Sequence, residues 1–254
     1  MINLVNKVAL VTGSSRGIGR ASAIALATAG ADVIVNYVSA RSSAVETARE
    51  IRRLGRQAWV VRADVSQEED VEQMIDFVEG EVGQLNIIVS NAATGGFRNL
   101  LDSRAKHFEH AMATNVLALI YLARRAKELL TSGPDRGKLI ALSSHGSEIA
   151  LPMYGLIGGS KAALESIARH LTLELGPLGV NINLVKAGLV ETDSTRMLPG
   201  SDLMFAGRTQ KSMMGQRVLE DTDVANAIVF LASPMSDLIQ GQVITVDGGS
   251  SIHI

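Results

Sequence analysis

The chain has 254 residues, a net charge of −2 from 24 Lys+Arg against 26 Asp+Glu, and no cysteine. Its length suits one large α/β domain or two small ones; the missing cysteines exclude disulfides, thiolate zinc sites and cysteine nucleophiles, and the charge balance gives no sign of a nucleic-acid partner. No apolar run approaches the roughly 18 residues needed to span a bilayer, and the N-terminus runs straight into VALVTG without the regions of a signal peptide, so no membrane and a cytoplasmic location are expected.

Residues 7–12 (KVALVT) form a short β-branched run that reads as a doubly buried strand, followed by the turn GSSRGIG at 13–19 and a helix closed by Gly30. Residues 32–37 (DVIVNY) read as a second strand, 42–54 as a helix, and 57–62 (QAWVVR) as a third strand. Ser66 with Glu69 resembles a capping box for a helix running to about residue 82. Residues 85–90 give a fourth strand, 104–130 one long helix, and 138–143 a fifth strand. A helix carrying Tyr154 and Lys161 runs on to residue 176, followed by a sixth strand at 180–185, a helix at 221–232 and a last strand at 242–246. The alternation predicts an α/β fold: one Rossmann-type, doubly wound parallel sheet of about seven strands with helices on both faces, spanning residues 1–254 as a single domain. Residues 191–219, rich in methionine and glycine, read as a long irregular segment acting as a substrate lid. Met197, Met204, Met213 and Met214 would suit a flexible acyl chain there.

The turn Gly13-Ser14-Ser15-Arg16-Gly17-Ile18-Gly19 lies between a strand and a helix, the context in which glycines let a pyrophosphate approach backbone at a helix N-terminus. The second strand ends at Asn36 and Tyr37 with no carboxylate to bind ribose hydroxyls, while Arg16 and Arg41 can pair with a 2′-phosphate, which favours NADPH. Farther along, Tyr154 and Lys161 stand seven apart, so on a helix both project from one face. The ammonium is expected to lower the phenol pKa.

Taken together, these motifs resemble the short-chain dehydrogenase/reductase family over essentially the whole chain. Residues 12–19 match its TGxxxGxG turn, Asp64 and Val65 its adenine-contacting pair, and Ser90-Asn91-Ala92-Ala93 its NNAG motif with two departures. Asn115 falls where the family keeps a helix-kinking asparagine that anchors a water, and residues 242–249 match the closing strand of its tetramer interface. The resemblance implies catalytic roles for Tyr154, Lys161, Ser144 and Asn115. It also implies cofactor contacts from residues 13–19, Tyr37, Arg41, Asp64, Val65, Asn91, Ala92, Lys161, Gly188, Val190 and Thr192, with no metal, and a homotetramer.

One departure decides the expected reaction. Most members place tyrosine four residues before the lysine, where this chain has Ile157. The wider spacing moves the phenol roughly 4.5 Å towards the helix start. It is the mark of the enoyl-acyl carrier protein reductases within the family, and serine at 144 resembles the NADPH-using, triclosan-tolerant enoyl reductase III branch. Val185-Lys186-Ala187-Gly188 resembles their SAG or SGG segment, with Lys186 a departure from the usual small residue. The implied activity is NADPH-dependent reduction of trans-2-enoyl thioesters of acyl carrier protein or coenzyme A in fatty acid synthesis, Tyr154 stabilising the enolate oxygen. The rivals are a carbonyl reductase or alcohol dehydrogenase of a secondary pathway, and a non-catalytic NADPH-binding regulator. His145, beside the serines, reads as an exposed loop histidine. Arg124, Arg125 and Lys127, or Arg196, Arg208, Lys211 and Arg217, could meet an acidic carrier protein but read mainly as solvated charges.

Overall fold

The computed structural model describes residues 2–197, 200–215 and 217–252. Leu198, Pro199 and Gln216, within the expected lid, lie outside the described residues. Strands and helices alternate as β1 (Val8–Val11), α1 (Gly17–Thr28), β2 (Asp32–Tyr37), α2 (Arg41–Arg53), β3 (Ala58–Arg62), α3 (Glu68–Phe77) with a π-helical extension Val78–Val82, and β4 (Ile87–Ser90). After β4 come α4 (Ala105–Met112), a π-helical turn Ala113–Leu117, α5 (Ala118–Arg125) and α6 (Lys127–Thr131). The remainder is β5 (Gly137–Ser144), α7 (Gly155–Leu175), β6 (Val180–Ala187), α8 (Asp193–Arg196), α9 (Ser201–Lys211), α10 (Asp221–Leu231) and β7 (Val243–Val246).

All seven strands pair in parallel in the order β3-β2-β1-β4-β5-β6-β7. Successive strand residues face opposite sides, so each face feeds its own core. Ala9, Val11, Ile140 and Leu142 join α1, α2 and α10 on one face, while Leu10, Leu139 and Ala141 join α3, α5 and α7 on the other. Both faces being covered explains the near-continuous apolar runs in β1, β4 and β5. The strand order reverses between β1 and β4, and the carboxyl ends of strands there open into a crevice, the usual ligand position in an open α/β sheet.

Four expectations are corrected. The helix anticipated over 104–130 is interrupted by the π turn at 113–117, because Asn115 is drawn out of register: its Nδ2 donates to Thr94 O and Ser160 Oγ, each at 2.8 Å, and its Oδ1 accepts from Thr94 N at 2.8 Å. The segment 191–219 is not irregular throughout; it carries α8 and α9, α9 starting directly after Gly200. Ser66 does not cap α3, which begins at Glu68, because its hydroxyl donates to Asp64 Oδ1 at 2.8 Å instead. Tyr154 is not inside α7 but is the residue that precedes it, with φ −105° and ψ 2°.

Candidate active site

A cleft of about 1310 Å³ runs over the carboxyl ends of the strands. At one end it is walled by the turn after β1. Thr12 Oγ accepts from the backbone N–H groups of Asn91 and Ala92, both at 3.0 Å, and Asn91 Nδ2 donates to Thr12 O at 2.8 Å, so the turns after β1 and β4 are one rigid wall. Gly19 is pressed against this wall: a Cβ there would lie 2.4 Å from Asn91 Nδ2 and 2.5 Å from Gly13 O. Helix α1 has no side-chain cap and no acid in its first turn, whereas α3 carries Glu68, Glu69 and Asp70 in its own. Its exposed N–H groups and positive dipole end face the cleft unopposed, which fits a dinucleotide pyrophosphate.

Most of the expected cofactor contacts line this cleft: Gly13, Ser15, Arg16, Gly17, Ile18 and Gly19 from the turn, then Tyr37, Asp64, Val65, Asn91, Ala92, Lys161, Gly188, Val190 and Thr192. Two do not. Ser14 is buried, its hydroxyl donating to Val11 O at 2.7 Å, and Arg41 is the exposed first residue of α2, outside the lining. Asn36 is used structurally: Oδ1 accepts from Gly13 N at 3.1 Å and Nδ2 donates to Ala63 O at 3.0 Å. Of the two arginines expected to meet a 2′-phosphate, Arg16 is the one that lines the cleft, 63% exposed and 3.8 Å from Asp193 in a loose ion pair. Gly19→Ala is expected to cost about 1–3 kcal/mol through overpacking, read as a lower melting temperature together with weaker dinucleotide binding by fluorescence titration.

Tyr154, Ser144 and Lys161 all line the cleft. The Tyr154 hydroxyl donates to Ser144 Oγ at 3.1 Å. Its ring stacks on Phe97 with centroids 6.1 Å apart and lies flat against Gly146, where a Cβ would come within 2.5 Å of the ring. Met153, just before it, holds φ at +58°, a conformation strained for a side-chain-bearing residue, and so turns the chain into α7 at this point. The position four before Lys161 is filled by Ile157, buried against Gly95. Lys161 is enclosed; its Nζ donates to Leu142 O at 2.7 Å, and burial pushes its pKa down to about 8. The expected lowering of the phenol pKa by the ammonium is not found, and the shift runs the other way. Burial raises the Tyr154 pKa, the Ser144 hydrogen bond opposes this in part, and Lys161 contributes nothing resolved. Asn115 does not line the cleft; its bonds to Thr94 and Ser160 make it a staple between the β4 loop and α7.

Sequence reasoning missed two groups. His145 is not exposed: its side chain is 17% accessible, it lines the cleft, and Nε2 lies 3.1 Å from Asp247 Oδ2. Lys186, buried in β6, sits 2.5 Å from Glu148 Oε1 and 3.2 Å from Glu165 Oε1, and Glu165 accepts from Ser143 Oγ at 2.5 Å. The unusual lysine at 186 was visible in the sequence; its two acids were not. Of the basic residues weighed as carrier contacts, Arg124 pairs with Glu68, Arg125 with Asp76 and Glu79, Lys127 with Glu128, Arg196 and Arg208 with Glu191, and Arg217 with Asp223. Among the described residues no group of three or more side chains is arranged to hold a metal, and no helix is long and apolar enough to cross a membrane.

A family model described as enoyl-(acyl carrier protein) reductase matches residues 13–251. With the seven-stranded order and the cleft, this match shows that the chain belongs to the short-chain dehydrogenase/reductase family, whose members are NAD(P)(H)-dependent oxidoreductases. It is 37% identical to 1-cyclohexenylcarbonyl-CoA reductase of Streptomyces collinus over 97% of this chain and 87% of that protein. It is 32% identical to versicolorin reductase 1 of Dothistroma septosporum, covering 97% of each chain. A short-chain dehydrogenase from Burkholderia cenocepacia solved with NADP superposes with a TM-score of 0.88 at 31% identity, covering 98% of this chain and 99% of that one. The keto-reducing enzyme LugOII of lugdunomycin biosynthesis gives 0.88 at 34% identity, over 99% of this chain and all of that one. A 7α-hydroxysteroid dehydrogenase solved with NADH gives 0.91 at 29% identity, covering 98% of this chain and 95% of that one.

Proposed function

We propose that the protein is an NADPH-dependent reductase that saturates the double bond of 2-enoyl thioesters, with coenzyme A as the carrier and a secondary pathway as its setting. The observation that carries this reading is the place of Tyr154: one turn ahead of the family's usual tyrosine position, which Ile157 fills, and hydrogen-bonded to Ser144. In an enoyl thioester the carbon that is reduced lies two atoms from the oxygen on which charge develops, so the donor must stand back from the reduction centre. Bound NADPH supplies the hydride to C3. Tyr154 then turns its one O–H from Ser144 Oγ to the thioester oxygen as that oxygen becomes negative, and Ser144, donating in its turn to the phenol oxygen, orients the phenol. The raised phenol pKa supports this role: the hydroxyl stays protonated, a donor to an enolate rather than an acid that gives up its proton. Lys161 would hold the cofactor's ribose hydroxyls, and Arg16 the 2′-phosphate that favours NADPH.

The 1-cyclohexenylcarbonyl-CoA reductase relative supports a coenzyme A thioester in particular. The ion pairs that engage Arg124, Arg125, Lys127, Arg196, Arg208 and Arg217 offer acyl carrier protein no separate support. No relative reported above is named for fatty acid synthesis, and the initial placement there is set aside. Segment 191–219 serves as the lid, with Leu203, Met204 and Met214 facing the cleft. A tetramer built through the β7 edge rests on the family resemblance. The keto-reducing and versicolorin-reducing relatives favour a second reading, ketone reduction. Purified protein offered crotonyl-CoA and, separately, acetoacetyl-CoA tests the two. Oxidation of NADPH with crotonyl-CoA, faster than with NADH, is the expected result. Turnover of acetoacetyl-CoA alone would establish the ketone reading, and dinucleotide binding without either turnover would make the chain a regulator.

A further inference from the structure

The enolate left by reduction at C3 needs a proton at C2, and the residues assigned so far do not provide it. Tyr154 is held on the oxygen side by Ser144. Lys161 is bonded to Leu142 O, and Lys186 is committed to Glu148 and Glu165. His145 is engaged at one ring nitrogen only, by Asp247. It follows Ser144 directly in the chain, in the short 3₁₀ turn after β5, and both residues line the cleft with Tyr154. Its Nε2 is buried 3.1 Å from Asp247 Oδ2 without the alignment of a hydrogen bond, and Nδ1 bonds to no described group. Asp247, whose side chain is 6% exposed, is fixed by the backbone N–H groups of Gly249 at 2.8 Å and Ser251 at 3.0 Å. Burial acts to raise its pKa, but the bonds from Ser251 and Gly249 and the nearby imidazole outweigh this and hold the carboxyl below its usual value. Asp247 thus holds the imidazole by one edge, and the second ring nitrogen bonds to no described group.

Resting on the enoyl-reductase reading, we propose that His145, held against Asp247, is the acid that protonates C2. When hydride has reached C3, the former double-bond electrons are shared between C2 and the thioester oxygen. The enolate pair forms a C–H bond at C2, the imidazolium N–H bond breaks with its pair remaining on the ring, and the carbonyl re-forms as Tyr154 releases it. His145 regains its proton from solvent. The sum is one hydride from NADPH and one proton from water added across the double bond, with NADP+ released.

The test is crotonyl-CoA reduction by NADPH in D₂O, with the face of deuterium at C2 read by NMR. The wild-type enzyme places deuterium on one face. His145→Gln and His145→Ala lower turnover about a hundredfold and give label on both faces, because bulk water becomes the donor; NADPH affinity stays unchanged, and His145→Gln, whose amide can still donate to Asp247, melts closer to wild type than His145→Ala. The proposal is overturned by one-sided labelling at full rate in His145→Gln, or by two-sided labelling in the wild type. A wild-type enzyme that leaves crotonyl-CoA untouched sinks the enoyl reading itself and the proposal with it, a result distinct from either of those.

Discussion

Tyr154→Phe is expected to lower kcat on crotonyl-CoA by about 10²–10³-fold, the usual effect of removing one donor aimed at a developing oxyanion. The ring itself has every reason to stay where it is. Phe97 stacks on it, and Gly146 leaves room beside it that any side chain would take away. Only the bond to Ser144 Oγ is lost, and Ser144 still accepts from Gly146 N at 3.3 Å. A single neutral hydrogen bond contributes about 1 kcal/mol to stability, so the variant should melt only slightly lower and bind NADPH as before. A stabilising role confined to the transition state lowers kcat and kcat/KM together. Full enoyl turnover in Tyr154→Phe would remove the residue from the chemistry.

Lys161→Met should move activity and stability in opposite directions. Turnover falls because the cation meant for the cofactor's ribose is gone. The dinucleotide-free protein, however, becomes more stable at neutral pH. Burial pushes the Lys161 pKa down to about 8 in the folded chain, against 10.5 for an ordinary lysine. Below that folded value both states carry the proton, and the folded state bears the full cost of enclosing the charge. Between the two values the unfolded chain binds more protons than the folded one, so wild-type stability climbs as pH rises through this window. The cost amounts to about 3 kcal/mol at 1.36 kcal/mol per pKa unit, partly offset by the bond to Leu142 O. Methionine fills a similar volume without the charge. The variant should therefore melt several degrees above wild type at pH 7, and its advantage should shrink towards pH 10. A Lys161→Met protein that melts lower at pH 7 would show that the bond to Leu142 outweighs the burial.

What the sequence made legible was whatever depends on neighbours along the chain. β2 was read at its observed limits because it is a β-branched run bounded by Gly30 and by polar residues. The turn of glycines announced itself by its place between strand and helix, and its lining residues are those expected, Ser14 apart. What stayed hidden depends on partners far away. No local pattern near Asn115 marks a break in the helix; only the family resemblance implied a kink there, and Thr94 and Ser160 create it. The phenol of Tyr154 was expected beside a charge, but enclosure by Phe97, Gly146 and Ser144 governs it. His145 looked like a loop residue until the turn after β7 brought Asp247 to it. α9 escaped notice because its residues show no apolar stripe: it lies over a cleft instead of a core, with Leu203 81% exposed.

The lysine at 186 binds three parts of the molecule into a single unit of inheritance. It answers Glu165 on α7 and Glu148 in the stretch leading to Tyr154, and Glu165 in turn holds Ser143 beside Ser144. Exchanging the lysine alone for a small residue strands an enclosed acid, a cost of several kcal/mol when a buried pair loses one member. Drift at this position is therefore open only to lineages that neutralise 165 in the same step, and a designer moving this active site into a relative must carry all three side chains or none.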